Sequence, residues 1–161
     1  MTNEILRPGQ EITKLKWTVY LAGPCARTKE QTRWQEQAIE ILNKYATDIV
    51  IVDPTNLETN DTLEGFDWNK ENEWEHETMW RADKIIFWVP RDLKEMPGWT
   101  TNIEFGYWIG SFPQKVFYGR PKDAPKTEYL DWLFKKQKPK ENIYDSLEEL
   151  ILAVLKKDKI I

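Results

Sequence analysis

Cysteine and histidine are almost missing from this 161-residue chain, which has one of each, Cys25 and His76. A lone cysteine closes no internal disulfide, and a single histidine leaves no Cys/His set with zinc-site spacing. No metal and no cofactor is therefore expected, and a reducing, cytoplasmic setting is. Long apolar runs are also lacking. A membrane-spanning helix needs about 18 or more consecutive apolar residues, and the N-terminal MTNEILRPGQEITK has no apolar core of a signal peptide. Neither membrane insertion nor export is expected. Positive charge is in deficit, with 23 Lys and Arg against 27 Asp and Glu and a formal net charge of −4. Nucleic-acid binding relies on clustered cations that displace counterions, so a small ligand fits this balance better. The basic run KKQKPK (135–140) reads as a solvated helix end.

The glycine motifs that hold phosphates are absent as well. After the first apolar stretch stands GPCART where a dinucleotide site has G-x-G-x-x-G, and no G-x-x-x-x-G-K-[ST] loop occurs. A phosphorelay receiver is excluded too, because Gly-Pro and Pro-Arg occupy the positions where its acidic residues would stand.

Several apolar segments do stand out. WTVYLAG (17–23), DIVIVDP (48–54), KIIFWVP (84–90) and QKVFYGR (114–120) read as short buried strands, with a weaker fifth near 142–144. Between them lie helical patterns. Trp34, Ala38, Ile41, Leu42 and Tyr45 form one; Trp74, Met79 and Trp80 lie on another; TTNIEFGYWIGSF is a third and about 126–137 a fourth. Ser146 and Glu149 have capping-box spacing before the stripe Leu147, Leu150, Ile151, Val154 and Leu155. Alternation at this pitch predicts a single α/β domain over 1–161, a doubly wound, flavodoxin- or Rossmann-like parallel sheet of about five strands with helices on both faces. Residues 1–15 read as a polar extension. About 70% of the unfolded surface is buried in a domain of this size. The nine tryptophans serve mostly as core, with Trp68, Trp88 and Trp99 as candidates to stack a planar ligand.

Ligands of such sheets bind beyond the carboxyl ends of the strands where strand order reverses. One rim should therefore gather Tyr20 to Arg27 with Gly23, Asp53, Arg91, Glu104 and Arg120. Glu104 has two readings. With Thr101 it has the T-x-x-E spacing of a capping box, and near a helix start it could instead be held ionised as a nucleophile. Glu75 is the candidate second carboxylate, with Asp67, Glu71 and Glu73 as competitors; a carboxylate pair on one rim can attack a sugar carbon and protonate its leaving group. Arginines 27, 91 and 120 are either ordinary ion-pair residues or phosphate ligands. Cys25 has no evident partner base, and His76 reads as an exposed helix residue.

In order along the chain, VYLAGP (19–24), Arg27, Trp34, DP (53–54), WE (74–75), AD (82–83), IIFWVPR (85–91), TTNIEFG (100–106), VFYGRP (116–121) and YL (129–130) together resemble the nucleoside 2-deoxyribosyltransferase-like family. The resemblance implies that Glu104 attacks the anomeric carbon, that Tyr20 orients it, and that Glu75 contacts the base. It implies cleavage of a deoxynucleoside N-glycosidic bond with transfer to another nucleobase; a nucleoside or nucleotide N-glycosidase and a non-catalytic nucleotide-binding sensor are the alternatives. Nucleoside or nucleotide and nucleobase are the expected partners, in a homo-oligomer whose neighbours complete each site. The aspartate that the family carries six residues before its nucleophile is Gly98 here. Thr100, Thr101 and Asn102 are the candidates to replace it.

Overall fold

A computed structural model of the chain describes residues 2–13, 16–26, 30–56 and 67–161. Five strands, β1 (Glu4–Leu6), β2 (Thr18–Ala22), β3 (Val50–Val52), β4 (Lys84–Trp88) and β5 (Val116–Gly119), form one all-parallel sheet in the order β1-β3-β2-β4-β5. Every residue of β2, β3 and β5 is buried. That is why their sequences are continuous apolar runs instead of alternating ones.

Five helices cover the sheet: α1 (Trp34–Tyr45), α2 (Trp68–Arg81), α3 (Trp99–Ser111), α4 (Glu128–Gln137) and α5 (Leu147–Lys157). Side chains alternate across a strand, so β2 splits its contribution. Val19 and Leu21 pack with Trp34, Ala38 and Leu42 of α1 and with the Leu150, Ile151 and Val154 stripe of α5. Tyr20 and Ala22 face the opposite layer, with Met79 of α2, Phe105 and Trp108 of α3, and Phe134 of α4. Ser146 caps α5 by accepting the Glu149 N–H at 3.3 Å, as its spacing predicts.

Two expectations are corrected. The segment 1–15 is more than a polar lead-in: Glu4, Ile5 and Leu6 pair with Val50, Ile51 and Val52 as an edge strand, and Leu6 and Ile12 are buried. The fifth strand near 142–144 is only a bridge from Tyr144 to Gly119, carried by the Tyr144 N–H donating to Tyr118 O and the Arg120 N–H donating to Tyr144 O. The sheet edge at β3 recruits the N-terminus because three backbone pairs and one buried leucine suffice there.

Candidate active site

The direction of the chain reverses beside β2, which has β3 on one side and β4 on the other. A cleft of about 290 Å³ opens there, lined by Tyr20, the loop Gly23–Ala26, Pro54 and Asn56 after β3, one face of α2, and Met96 to Thr101 with Glu104. Its location follows from topology: helices depart on both sides of the reversal and leave a crevice between them.

The α2 wall is a stripe at helical spacing. Trp68, Glu71 and Glu75 line the cleft, and the same face continues into buried Thr78 and Met79, which anchor the helix to the core. The first half of α2 thus overhangs the cleft while its second half packs. Asp67 is the helix cap, accepting the Asn69 and Lys70 N–H groups at 3.1 and 3.2 Å, and Glu73 is exposed. Of the four competing acids, Glu71 and Glu75 reach the cleft.

The α3 wall settles how Glu104 is placed locally. The helix begins at Trp99 with Gly98 as its cap residue, so Thr101 and Glu104 lie inside the helix and form no capping box. Gly98 has φ of 65°, and a Cβ there would stand 2.8 Å from Pro24 Cγ. Glycine is required on both counts. The preceding loop is shaped by Asp92, whose carboxyl accepts the Lys94 and Glu95 N–H groups at 2.9 and 2.8 Å, while its backbone pairs with Met96. That turn delivers Met96 and Pro97 to the cleft. Thr101, Phe105, Trp108 and Ile109 are the buried face of α3; Glu104 lies at the edge of that face and turns into the cleft.

Electrostatics set this group of acids apart. Burial, and then the charge of Glu75, push the Glu104 carboxyl up to about 8. Burial, and then Glu71, push Glu75 up to about 7, and burial raises Glu71 as well. No hydrogen bond or ion pair offsets these shifts among the described residues. The helix-dipole expectation of a fully ionised Glu104 is therefore overturned: the side chain sits beyond the first turn, and desolvation wins. Buried Tyr20 points its phenol into the same space, and its pKa is raised well above 10 by burial and by the Glu75 and Glu104 charges. It remains a neutral O–H donor. Two such carboxyls so close share protons near neutral pH, and their titration belongs to the pair.

The other expected site residues are distributed unevenly. Gly23, Thr100 and Thr101 line the cleft. At Gly23 a Cβ would fall 2.0 Å from the Trp88 carbonyl oxygen, so the chain passes β4 without a side chain. Asp53 is fully buried and accepts from Arg7 and Arg33, with the Thr55 N–H at 2.9 Å. Arg91 is buried and donates to Asn102 Oδ1 and to the Lys126 carbonyl. Arg120 makes a bidentate pair with Asp131, the shortest contact being 2.6 Å. These groups stand behind the cleft wall, engaged with the protein, and Arg27 lies outside the described residues. Burial pushes the Cys25 thiol up to about 12, and Gln35 Nε2 donates to its sulfur at 3.4 Å, so it is a lining group in its thiol form. Trp68 and Trp99 border the cleft, whereas Trp88 is core. His76 is exposed, with its ring 5.2 Å from Tyr107. Pro54 lines the cleft as its place after a strand led one to expect, whereas Asn56 and Met96 were not expected from the sequence, their signal being only position, just after a strand or in the loop before α3.

Among the described residues, no group of three or more His, Cys, Asp or Glu side chains is arranged to hold a metal ion. No described helix is long and apolar enough to cross a membrane. No curated protein matches the chain. A family model does: the one described as nucleoside 2-deoxyribosyltransferase like matches residues 16–123, more than half of the sequence and every element that builds the cleft. The chain belongs to the nucleoside 2-deoxyribosyltransferase-like family.

Proposed function

We propose that the protein cleaves the N-glycosidic bond of a 2′-deoxyribonucleoside and transfers the deoxyribosyl group to another nucleobase through an ester on Glu104. The observation that carries this reading is a pair of unpaired carboxyls, Glu104 and Glu75, on neighbouring helices that line one cleft beside the Tyr20 phenol. With the proton that the pair shares residing on Glu75, an ionised Glu104 oxygen attacks C1′. The C1′–N bond breaks, its electron pair goes to the departing base, and protonated Glu75 supplies a ring nitrogen of that base, N7 in a purine, with a proton. A nitrogen of the second base then attacks C1′, the C1′–O bond breaks, and Glu104 recovers its electron pair while Glu75 takes up a proton. Two inversions give net retention. Tyr20 donates to the Glu104 carboxylate and holds it toward the sugar.

Sugar recognition departs from the family pattern, because the Gly98 backbone and its contact with Pro24 leave no room for an aspartate side chain. Asn102 is engaged with Arg91, so Thr100 and Thr101 are the proposed contacts to the sugar 3′-hydroxyl. Gly23 lets the chain leave β2 against the Trp88 carbonyl and so sets the position of the loop that faces the substrate. Asp53, Arg91 and Arg120 act by fixing the loops and helix ends around the cleft.

Hydrolysis, with water in place of the second base, is the second reading. It is favoured by Gly98, which stands where the family's sugar-binding aspartate would be. Incubating a deoxynucleoside with and without a different free base separates the two. A new deoxynucleoside supports transfer, free deoxyribose at a rate independent of added base supports hydrolysis, and tight binding with no product at all supports a sensor. Glu104→Ala abolishes product formation in the first two cases; turnover near the parent rate in that variant rules the ester out.

The working unit is proposed to be a homo-oligomer. The outer face of α3 presents Trp99, Ile103 and Tyr107 at four-residue spacing, and they are 66%, 74% and 47% exposed. An apolar stripe of this kind on the helix that carries Glu104 fits a second copy of the chain. Sedimentation at micromolar concentration then reports a multiple of 19.2 kDa.

A further inference from the structure

We propose that Glu71 is the specificity-determining contact of the cleft, selecting purines whose N7 edge carries a 6-amino group, such as adenine, over their 6-oxo counterparts. The inference rests on the reading of the cleft as a deoxynucleoside site. Its starting point is the α2 stripe. Glu75 lies four residues beyond Glu71 and Trp68 three residues before it, and all three line the cleft. Along the helix axis these steps are about 6 Å and about 4.5 Å. Moving outward from the reacting carbon, a bound base therefore meets Glu75, then Glu71, with the Trp68 ring at the mouth. Glutamate side chains are long enough to converge from that spacing onto neighbouring polar atoms of one base edge.

An ionised carboxylate has acceptor oxygens only. The Glu71 side chain is half-buried, burial raises its pKa, and no described residue donates to it. A ligand N–H supplies the missing donor. Where Glu75 donates its proton to purine N7, the neighbouring group on C6 falls toward Glu71: an amino group in adenine, a carbonyl oxygen in hypoxanthine. The amino group donates to Glu71, whereas the carbonyl sets two acceptors face to face in a partly desolvated cleft. Charged acceptors left without a donor weigh heavily in such discrimination. The other carboxyls do not share this role, since Glu104 faces the sugar carbon and Glu73 is exposed.

The test uses two matched pairs, deoxyadenosine with deoxyinosine and 2,6-diaminopurine deoxynucleoside with deoxyguanosine, each keeping N7 as an acceptor and differing at C6 by amino against oxo. Binding is measured by calorimetry in the full-length Glu104→Ala protein, in which no ester forms. Each amino member is expected to bind at least about tenfold more tightly than its oxo partner. Adding Glu71→Gln, whose amide can donate or accept, is expected to reduce both ratios to within about twofold. Glu71→Asp, which keeps the charge, retains the direction of the preference and guards against a merely structural effect. Ratios near one in the Glu104→Ala protein, ratios that survive Glu71→Gln, or no binding of any of the four ligands overturn the proposal. Failure of the ester mechanism reads out separately: a Glu104→Ala protein that still turns over but shows the Glu71-dependent preference refutes the ester and supports the Glu71 assignment.

Discussion

Glu104→Gln keeps the shape of the side chain while removing its ability to ionise, and the structure fixes how stability should respond. In the folded protein the carboxyl is raised from 4.5 to about 8, so between those values the native state holds a proton that the unfolded chain has released. Stability then falls as pH rises. The destabilisation is absent below about pH 4.5 and complete above about pH 8. At about 1.4 kcal/mol per unit the shift sets a ceiling of about 5 kcal/mol. The cleft admits solvent, and part of the shift comes from Glu75 and is shared between the two groups, so about 2–3 kcal/mol is the expected cost of an ionised Glu104. Glu104→Gln should therefore match the parent near pH 4 and exceed it by about 2–3 kcal/mol at pH 9, or about 4–12 °C in Tm. Urea unfolding of both proteins at the two pH values measures this directly. The difference between them isolates Glu104 from Glu75, which titrates in both. A stability difference that does not change with pH, or a variant less stable than the parent at pH 9, would refute the claim that this carboxylate is desolvated without a compensating partner.

Three further outcomes are expected. Gly98→Asp restores the family's residue type but forces an L side chain to φ of 65° and against Pro24, so it should lose about 2–3 kcal/mol of stability in urea unfolding and gain no activity. Parent-like stability would show that the α3 start can relax. Arg91→Met leaves Asn102 Oδ1 and the Lys126 carbonyl without their donor; a loss of about 2–4 kcal/mol is expected, and an unchanged unfolding midpoint would mean these contacts are redundant. Ile103→Glu puts a charge in the middle of the exposed α3 stripe, 74% accessible in the single chain, and should convert the oligomer to a 19.2 kDa species on sedimentation. A parent-like assembly in that variant would move the interface elsewhere.

The strands β2 to β5 were legible because both of their faces are covered, which writes a continuous apolar run into the sequence. The edge strand Glu4–Leu6 was not, since only Leu6 of its three residues is buried and the pairing partner lies over forty residues away in β3. Glu104 and Tyr20 could be placed on one rim from a helix start and a strand end, whereas Glu75 stood among four acids and was picked out by the resemblance to the family. The arginines were a different matter. Arg91 and Arg120 lie at the expected strand ends, yet their donors are taken by Asn102, Lys126 and Asp131. Those partners are 35 or fewer residues away, but their geometry depends on the loops between, which carry no periodic signal. The choice among four acids on α2 also needed the helix phase. Once Thr78 and Met79 are known to be buried, Glu71 and Glu75 fall on the cleft side, whereas the sequence left Asp67 and Glu73 in contention.

The central claim is a covalent bond from Glu104 to deoxyribose, and the most direct measurement is mass spectrometry of the protein quenched in acid after brief mixing with deoxynucleosides. The account predicts one added deoxyribosyl group, localised by proteolysis to the peptide containing TTNIEFG and absent from the Glu104→Ala protein. Product formation with no adduct on that peptide, or an adduct on a different carboxylate such as Glu75, would contradict it.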